Sequence, residues 1–358
     1  MDNNIWLPNK DRLIATLRGE IPDRVSWTEM LIEPKNVERI VGKDVGSTMA
    51  ASRGAGEGDI LVPPPMAPEY YFKILEYTCQ DTVVLESLWA PFQVKEMDSI
   101  YAVQKGGVVK CWDDLDKVIA PNQDDITPRI QYVKEYVKAA KEKNIGVTYT
   151  TGAFFQYCYE YLIGFDNFCI MVLEDPELLE HCLDLVLKYY LDITDRVIEE
   201  GVDVLFFADD VAYRSGTFIN PQMFKDMWLG RMQKLTQKAK DAGIPVMFHS
   251  CGNVTPIIDS VICNMGTDCL HPIEPYSMDI YAIKEKYSDR FCVAGNLDIA
   301  GPFAFGTPEE AYMEAAQMIE KLKKGGKYIF ATSHSVTDDI PFENLNAVIK
   351  ALKDTGKY

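Results

Sequence analysis

From about residue 127 to the end, short apolar segments alternate with longer amphipathic ones, and this rhythm constrains the fold more than any other feature of the chain. Val147–Thr150, 202–208, 245–248, 268–270, 291–295 and 328–331 read as strands. The 202–208 run (VDVLFFA) is apolar almost throughout, as a strand buried on both faces should be. Helix signals lie between them. Thr127-Pro128 reads as an N-cap with proline at the first helical position. Asp175-Pro176 and Asn220-Pro221 open two more helices, and Thr307-Pro308-Glu309-Glu310 is a capping box. Gly201 and Gly243 mark C-termini.

Arg24–Trp27 and Thr82–Leu85 add two strands upstream, making eight. Repeated βα units imply a parallel sheet with right-handed crossovers, and eight of them close into a barrel. No glycine-rich nucleotide fingerprint follows any strand, which argues against a doubly wound dinucleotide fold. The expected fold is therefore α/β: a (β/α)8 TIM barrel with an N-terminal extension and an insertion at the mouth, formed by the Pro- and Gly-rich segment 32–80. Residues 1–358 are read as one domain.

Composition narrows the partners. A net charge of −18 disfavours nucleic acid. No stretch approaches the ~20 apolar residues of a membrane span, and the N-terminal residues do not read as a secretory signal. The nine cysteines are scattered, mostly in apolar runs (Cys79, Cys169, Cys263, Cys292), which suits reduced thiols in a cytoplasm.

In a parallel barrel the residues after each strand converge on one mouth. Here they are Asp209-Asp210, His249-Ser250-Cys251-Gly252-Asn253, His271 with Glu274, Asn296 with Asp298, and Ser333-His334-Ser335; three of the four histidines fall in this set. An imidazole and a thiol two residues apart at a strand end lie on one side of it, and zinc favours that nitrogen–sulfur pair. Asp209 or Asp210 can also be read as a cap for a following turn. His271, before Pro272, reads as structural. The aromatic run 154–168 follows a strand and reads either as a core helix or as a surface for an aromatic or methylammonium group.

These segments in order resemble the uroporphyrinogen decarboxylase superfamily, in its cobalamin-dependent methyltransferase branch. The likeness rests on Pro22-Asp23-Arg24-Val25, Asp209-Asp210, His249 to Asn253, Gly295-Asn296-Leu297-Asp298, Ser333-His334-Ser335 and Ile340 to Leu345. Decarboxylases of this superfamily carry Arg-Gln-Ala-Gly-Arg-Tyr near the N-terminus. Residues 27–33 here read Trp-Thr-Glu-Met-Leu-Ile-Glu, an acidic stretch expected to repel porphyrinogen carboxylates. The resemblance implies a zinc held by His249, Cys251 and a third ligand. His334 is preferred for that place, with Glu274 and Asp210 as alternatives. It further implies Asp210 and Asn296 as catalytic residues, and Phe154, Phe155, Tyr157, Tyr213 and Arg214 around a small methylated substrate.

The implied activity is transfer of a methyl group, from a phenyl methyl ether by preference, to the cob(I)alamin of a partner corrinoid protein. No Asp-x-His-x-x-Gly motif is present in the sequence, so the cobalamin is expected on that partner. Methyl transfer from a methylcorrinoid to a thiol or to tetrahydrofolate is the alternative, and decarboxylation the third reading.

Overall fold

In the computed structural model, which describes residues 3–49, 65–86, 92–96, 99–102 and 106–358, eight strands form one sheet. They are β1 (Ser26–Trp27), β2 (Thr82–Leu85), β3 (Gly146–Thr151), β4 (Val204–Ala208), β5 (Val246–His249), β6 (Cys269–His271), β7 (Cys292–Leu297) and β8 (Tyr328–Thr332). The order around the sheet is β1-β8-β7-β6-β5-β4-β3-β2, and each neighbouring pair in it is parallel. The ends of that order meet: Asp81 N donates to Trp27 O at 3.1 Å, and the Thr28 and Thr82 hydroxyls lie 3.5 Å apart. The sheet is thus the barrel expected from the unit count.

Alternation along each strand sorts the side chains into two cores. Val84, Val204, Phe206, Met247, Cys269, Cys292, Ala294 and Ile329 fill the barrel interior, and Leu13 and Leu17 of the Lys10–Leu17 helix plug its lower end. Their neighbours, among them Leu85, Tyr149, Leu205, Phe207 and Phe248, face the surrounding helices. The Pro22-Asp23-Arg24-Val25 segment serves this lower end. The buried Arg24 guanidinium donates to Asp81 at 3.1 Å, while Arg12 bonds both Asp81 and Asp23. Buried guanidinium and carboxylate groups are tolerable there because each is paired.

Three details differ from expectation. The helix assigned to Thr127-Pro128 begins at Gln123, where Asn122 accepts from Asp124 N at 2.7 Å and Asp125 N at 3.2 Å, so Pro128 lies inside the helix. Segment 32–80 has more regular structure than its composition suggested. Pro34–Val41 and Pro68–Thr78 are helices that open on proline and carry the crossover from β1 to β2; Pro63 and Pro64 lie outside the described residues. All nine cysteines are free, but Cys169 is exposed and Cys263 half-buried rather than in the core.

Candidate metal centre

β5 places His249 at its last residue, two beyond Met247, so the imidazole points into the barrel mouth. The chain then turns at Gly252 (φ +85°), where a Cβ would come within 2.5 Å of the Ala212 carbonyl. That closeness needs glycine. It brings the loop onto the small hairpin Ala212–Tyr213/Gly216–Thr217 that follows Asp210, and Asn253 N donates to Tyr213 O at 2.7 Å.

The fold thereby gathers Asp210, His249 and Cys251, whose donor atoms all lie within 4.8 Å of one another. Cys251 Sγ is 3.5 Å from His249 Nε2, and Asp210 Oδ1 is 3.6 Å from the same nitrogen. Donors bound to one tetrahedral zinc sit roughly 3.4–3.6 Å apart, given bond lengths of about 2.0–2.3 Å. The two spacings about His249 Nε2 match such an ion. Asp210 Oδ1 also accepts from Cys251 N at 2.8 Å, which locks the two loops together.

Behind this group stands His271, fully buried, with Nδ1 at 2.9 Å from His249 Nδ1. With His249 protonated at Nδ1 the pair is satisfied, and Nε2 presents its lone pair to Asp210 and Cys251. Burial, with help from His334, pushes the His249 pKa down to about 3, so the ring is neutral, the form that binds metal. Burial raises the Asp210 pKa, opposed by the Cys251 N–H and by His334. The Cys251 thiol is raised by burial and then by the Asp210 and Glu274 carboxylates. A pocket that discourages thiolate this strongly is one that a divalent cation would relieve.

Glu274 accepts from Gly252 N at 2.8 Å and Ser277 Oγ at 3.1 Å, at the edge of the group. His334 is exposed at the rim, its ring centre 6.1 Å from that of His249 and its Nδ1 2.9 Å from Ser335 Oγ. Asn296 sits on β7, two strands from β5, and borders a cleft of about 660 Å³ with Tyr276, Asp298 and Glu314.

The neighbouring aspartate has a different task. Asp209 is fully buried and faces outward, accepting from Gln156 N at 2.7 Å, Phe155 N at 3.4 Å and the Trp228 indole at 2.8 Å. It caps the turn that starts at Phe154, more than fifty residues upstream, rather than a turn that follows it.

The aromatic run corrects an expectation. Phe154, Phe155 and Tyr157 are fully buried, packed against Trp228, against Phe168 and Phe224, and against Phe92 and Tyr161 respectively. Other rings surround them and leave no exposed surface, so they are core and not a substrate wall. Tyr213 is 48% exposed at the rim, and Arg214 reaches over the Tyr276 ring at 5.2 Å. The acidic segment 27–33 also acts otherwise than expected. Glu29 is buried between β1 and β8, held by the Trp27 indole, Thr332 N and Thr332 Oγ1, so it does not face the mouth.

Sequence comparison identifies the lineage. The profile of the uroporphyrinogen decarboxylase (URO-D) family matches residues 82–355, most of the chain. The chain belongs to that family. Within it, the chain is 27% identical over 257 residues to a uroporphyrinogen decarboxylase of Sulfurimonas denitrificans, covering 68% of this chain and 70% of the relative. It is 25% identical over 198 residues to a methylated-thiol–coenzyme M methyltransferase of Methanosarcina mazei, covering 54% of this chain and 50% of the relative. A methylcobamide:CoM methyltransferase of Methanosarcina barkeri is 27% identical over 192 residues, 53% of each chain. The chain thus spans about half the length of these two methyltransferases. The solved structure of a methyltransferase from Methanosarcina mazei superposes with a TM-score of 0.69 over 97% of this chain and 99% of its own, at 20% identity. At that identity the likeness is one of fold. Within the family fold, Asp210, His249 and Cys251 occupy the strand ends where barrel enzymes do their chemistry.

Proposed function

We propose that this chain is a corrinoid-dependent methyltransferase that holds zinc through His249, Cys251 and Asp210 and takes the methyl group of a phenyl methyl ether. The observation that carries the reading is the convergence of those three donors at spacings of 3.5 and 3.6 Å around one imidazole nitrogen. Family membership and the similarity to corrinoid-linked methyltransferases support the same class of reaction. Zinc bound there would supply Lewis acidity toward the atom that bears the methyl group.

The protein's own residues set the conditions. His271 fixes the His249 ring so that Nε2 faces the group. Asp210 is held by Cys251 N, which fixes its carboxylate beside His249 and Cys251. The Cys251 thiol must give up its proton before it can ligate, and Glu274, beside it at Gly252 N, is the nearest base of the loop that follows β6. His334 and Glu274 remain at the rim, placed to meet a leaving group. Tyr213 and Arg214 are exposed at the rim, the side from which a corrinoid carried on another protein would approach.

Zinc analysis of purified protein with His249→Ala and Cys251→Ala, followed by methylcobalamin absorbance with free cob(I)alamin and a panel of donors, tests the proposal. The expected result is near-stoichiometric zinc in the wild type, loss in both variants, and turnover with methoxyarenes. Turnover with methanol or methylamines alone would replace the ether and keep the methyltransferase. Full zinc in both variants would overturn the site.

A second reading, methyl transfer to a thiol, is favoured by the names of the two methyltransferase relatives. Their methyl acceptor, coenzyme M, is named in both descriptions, and the same zinc analysis serves either reading.

A further inference from the structure

The cleft of about 660 Å³ lies outside the metal group, between the helices Ile280–Tyr287 and Pro308–Leu322 and the loops that leave β6 and β7. The turn Glu274–Met278 borders both places. Glu274 accepts from Gly252 N beside Cys251, while Tyr276 and Met278 line the cleft. The floor is apolar, built from the buried Met278, Ile280 and Met318. Two rings of the lining stay open to solvent, Tyr276 at 46% and Tyr281 at 43% exposure. Two carboxylates complete it. Asp298 accepts from the Tyr276 hydroxyl and, at 2.8 Å, from Ala300 N. Glu314 stands one turn before Met318, on the same face of its helix. Its Oε2 is sealed from solvent and has no hydrogen-bond partner among the described residues.

A carboxylate oxygen shut away from water without a donor is costly, and native proteins rarely leave one so. Burial pushes the Glu314 pKa up to about 7, opposed by a hydrogen bond from the Asp298 backbone and assisted by the Asp298 charge. A positive group beside both would relieve them. The chain does not supply it. Lys321 is the basic residue of the lining, yet among the described residues it forms no ion pair with Asp298 or Glu314. Its Nζ lies 5.5 Å from the Tyr281 ring centre, and the Arg214 guanidinium lies 5.2 Å from that of Tyr276, so both rings already attract cations. The third acid of the lining, Asp279, is engaged in capping its own helix, accepting from Tyr281 N at 2.9 Å and Ala282 N at 3.2 Å. A bare metal ion does not suit the place. Among the described residues the group of three ligand atoms close enough to hold one is Asp210, His249 and Cys251, and hard cations call for more oxygen donors than this apolar floor offers.

We infer that this cleft is a second binding site, for a protonated amine carried on an apolar stem. Asp298 and Glu314 receive the ammonium group, Met278 and Met318 the stem, and Tyr276 and Tyr281 flank the charge with their rings. The site is separate from the position of the methyl donor and stands whether or not the methyltransferase reading holds.

Titration calorimetry of the full chain at constant ionic strength tests this, with n-butylammonium, butan-1-ol and butyrate as probes. Wild type should bind the ammonium ion on the order of tenfold more tightly than the alcohol, the worth of a charge-assisted hydrogen bond, and the carboxylate most weakly. Asp298→Asn and Glu314→Gln should each remove most of the advantage over the alcohol. Tyr281→Leu, which keeps an apolar wall and loses the ring, should weaken the ammonium ion by about threefold. His249→Ala should bind it as wild type does, which separates the cleft from the metal group. Should Asp298→Asn fail to fold, the shape-conserving Glu314→Gln decides alone. Absence of ammonium binding, equal affinity for the alcohol, or wild-type affinity in both carboxylate variants overturns the inference. So does loss of binding in His249→Ala with the cleft variants unaffected, or displacement of the amine by Mg²⁺ at matched ionic strength, the behaviour of a merely acidic surface.

Discussion

His271 lies wholly inside the barrel with its Nδ1 2.9 Å from Nδ1 of His249, so one imidazole supports the other from behind. Outer groups of this kind fix tautomer and ring orientation of a metal ligand. Replacing His271 by Phe should preserve the barrel packing against Phe206 yet lower zinc affinity by on the order of 10–100-fold. A chelator competition titration measures this. Unchanged affinity would mean that burial alone orients His249.

Asp209 and Asp210 are adjacent in sequence and opposite in task. Asp209→Ala would orphan two backbone N–H groups and the Trp228 indole in a buried setting. The expected cost is about 3 kcal/mol in urea unfolding. Zinc binding should weaken far less than in Asp210→Asn. A larger effect of Asp209 on zinc than on stability would reverse the two assignments.

Glu29 makes stability depend on pH. Burial raises its pKa from the ordinary carboxylate value to about 7, against the opposing hydrogen bonds from Thr332 and Trp27. The folded state then holds a proton that the unfolded chain releases near pH 4.5, so the stability this group contributes is complete below that pH and lost as pH rises through 7. Glu29→Gln keeps the Trp27 and Thr332 contacts and removes the titration. Its unfolding midpoint should fall less between pH 5 and 8 than that of wild type. Parallel profiles would show that Glu29 is ionised in the folded protein.

The barrel closes through its N-terminal strands: β1 pairs with β8 and adjoins β2 through the Asp81 to Trp27 hydrogen bond. We therefore expect residues 1–358 to unfold in one cooperative transition, and a fragment of residues 82–358, deprived of β1, to expose the edge of β8 and fail to fold stably. A monodisperse fragment with a sharp unfolding transition would contradict the single-domain reading.

What the sequence disclosed and what it hid follow from range. All eight strands were legible, because each is a short apolar run bounded by turn residues, and His249 and Cys251 were legible because both ends of their motif lie in one loop. The capping of Phe155 and Gln156 by Asp209 was not, since it joins residues more than fifty apart. Nor was the burial of Phe154, Phe155 and Tyr157, because an aromatic stripe looks the same whether it faces a substrate or other rings. The helix start at Asn122 was hidden by a stronger-looking signal, Thr127-Pro128, that falls inside the helix.

The third ligand decides the account. X-ray absorption at the zinc edge of the loaded protein should show one sulfur at about 2.3 Å with nitrogen and oxygen neighbours near 2.0–2.1 Å. The sulfur should be absent in Cys251→Ser, the oxygen shell altered in Asp210→Asn, and the spectrum unchanged in His334→Ala. A spectrum that changes with His334→Ala and not with Asp210→Asn would contradict the assignment of Asp210 and return the place to the rim histidine. Zinc without any sulfur neighbour would contradict the metal centre as a whole.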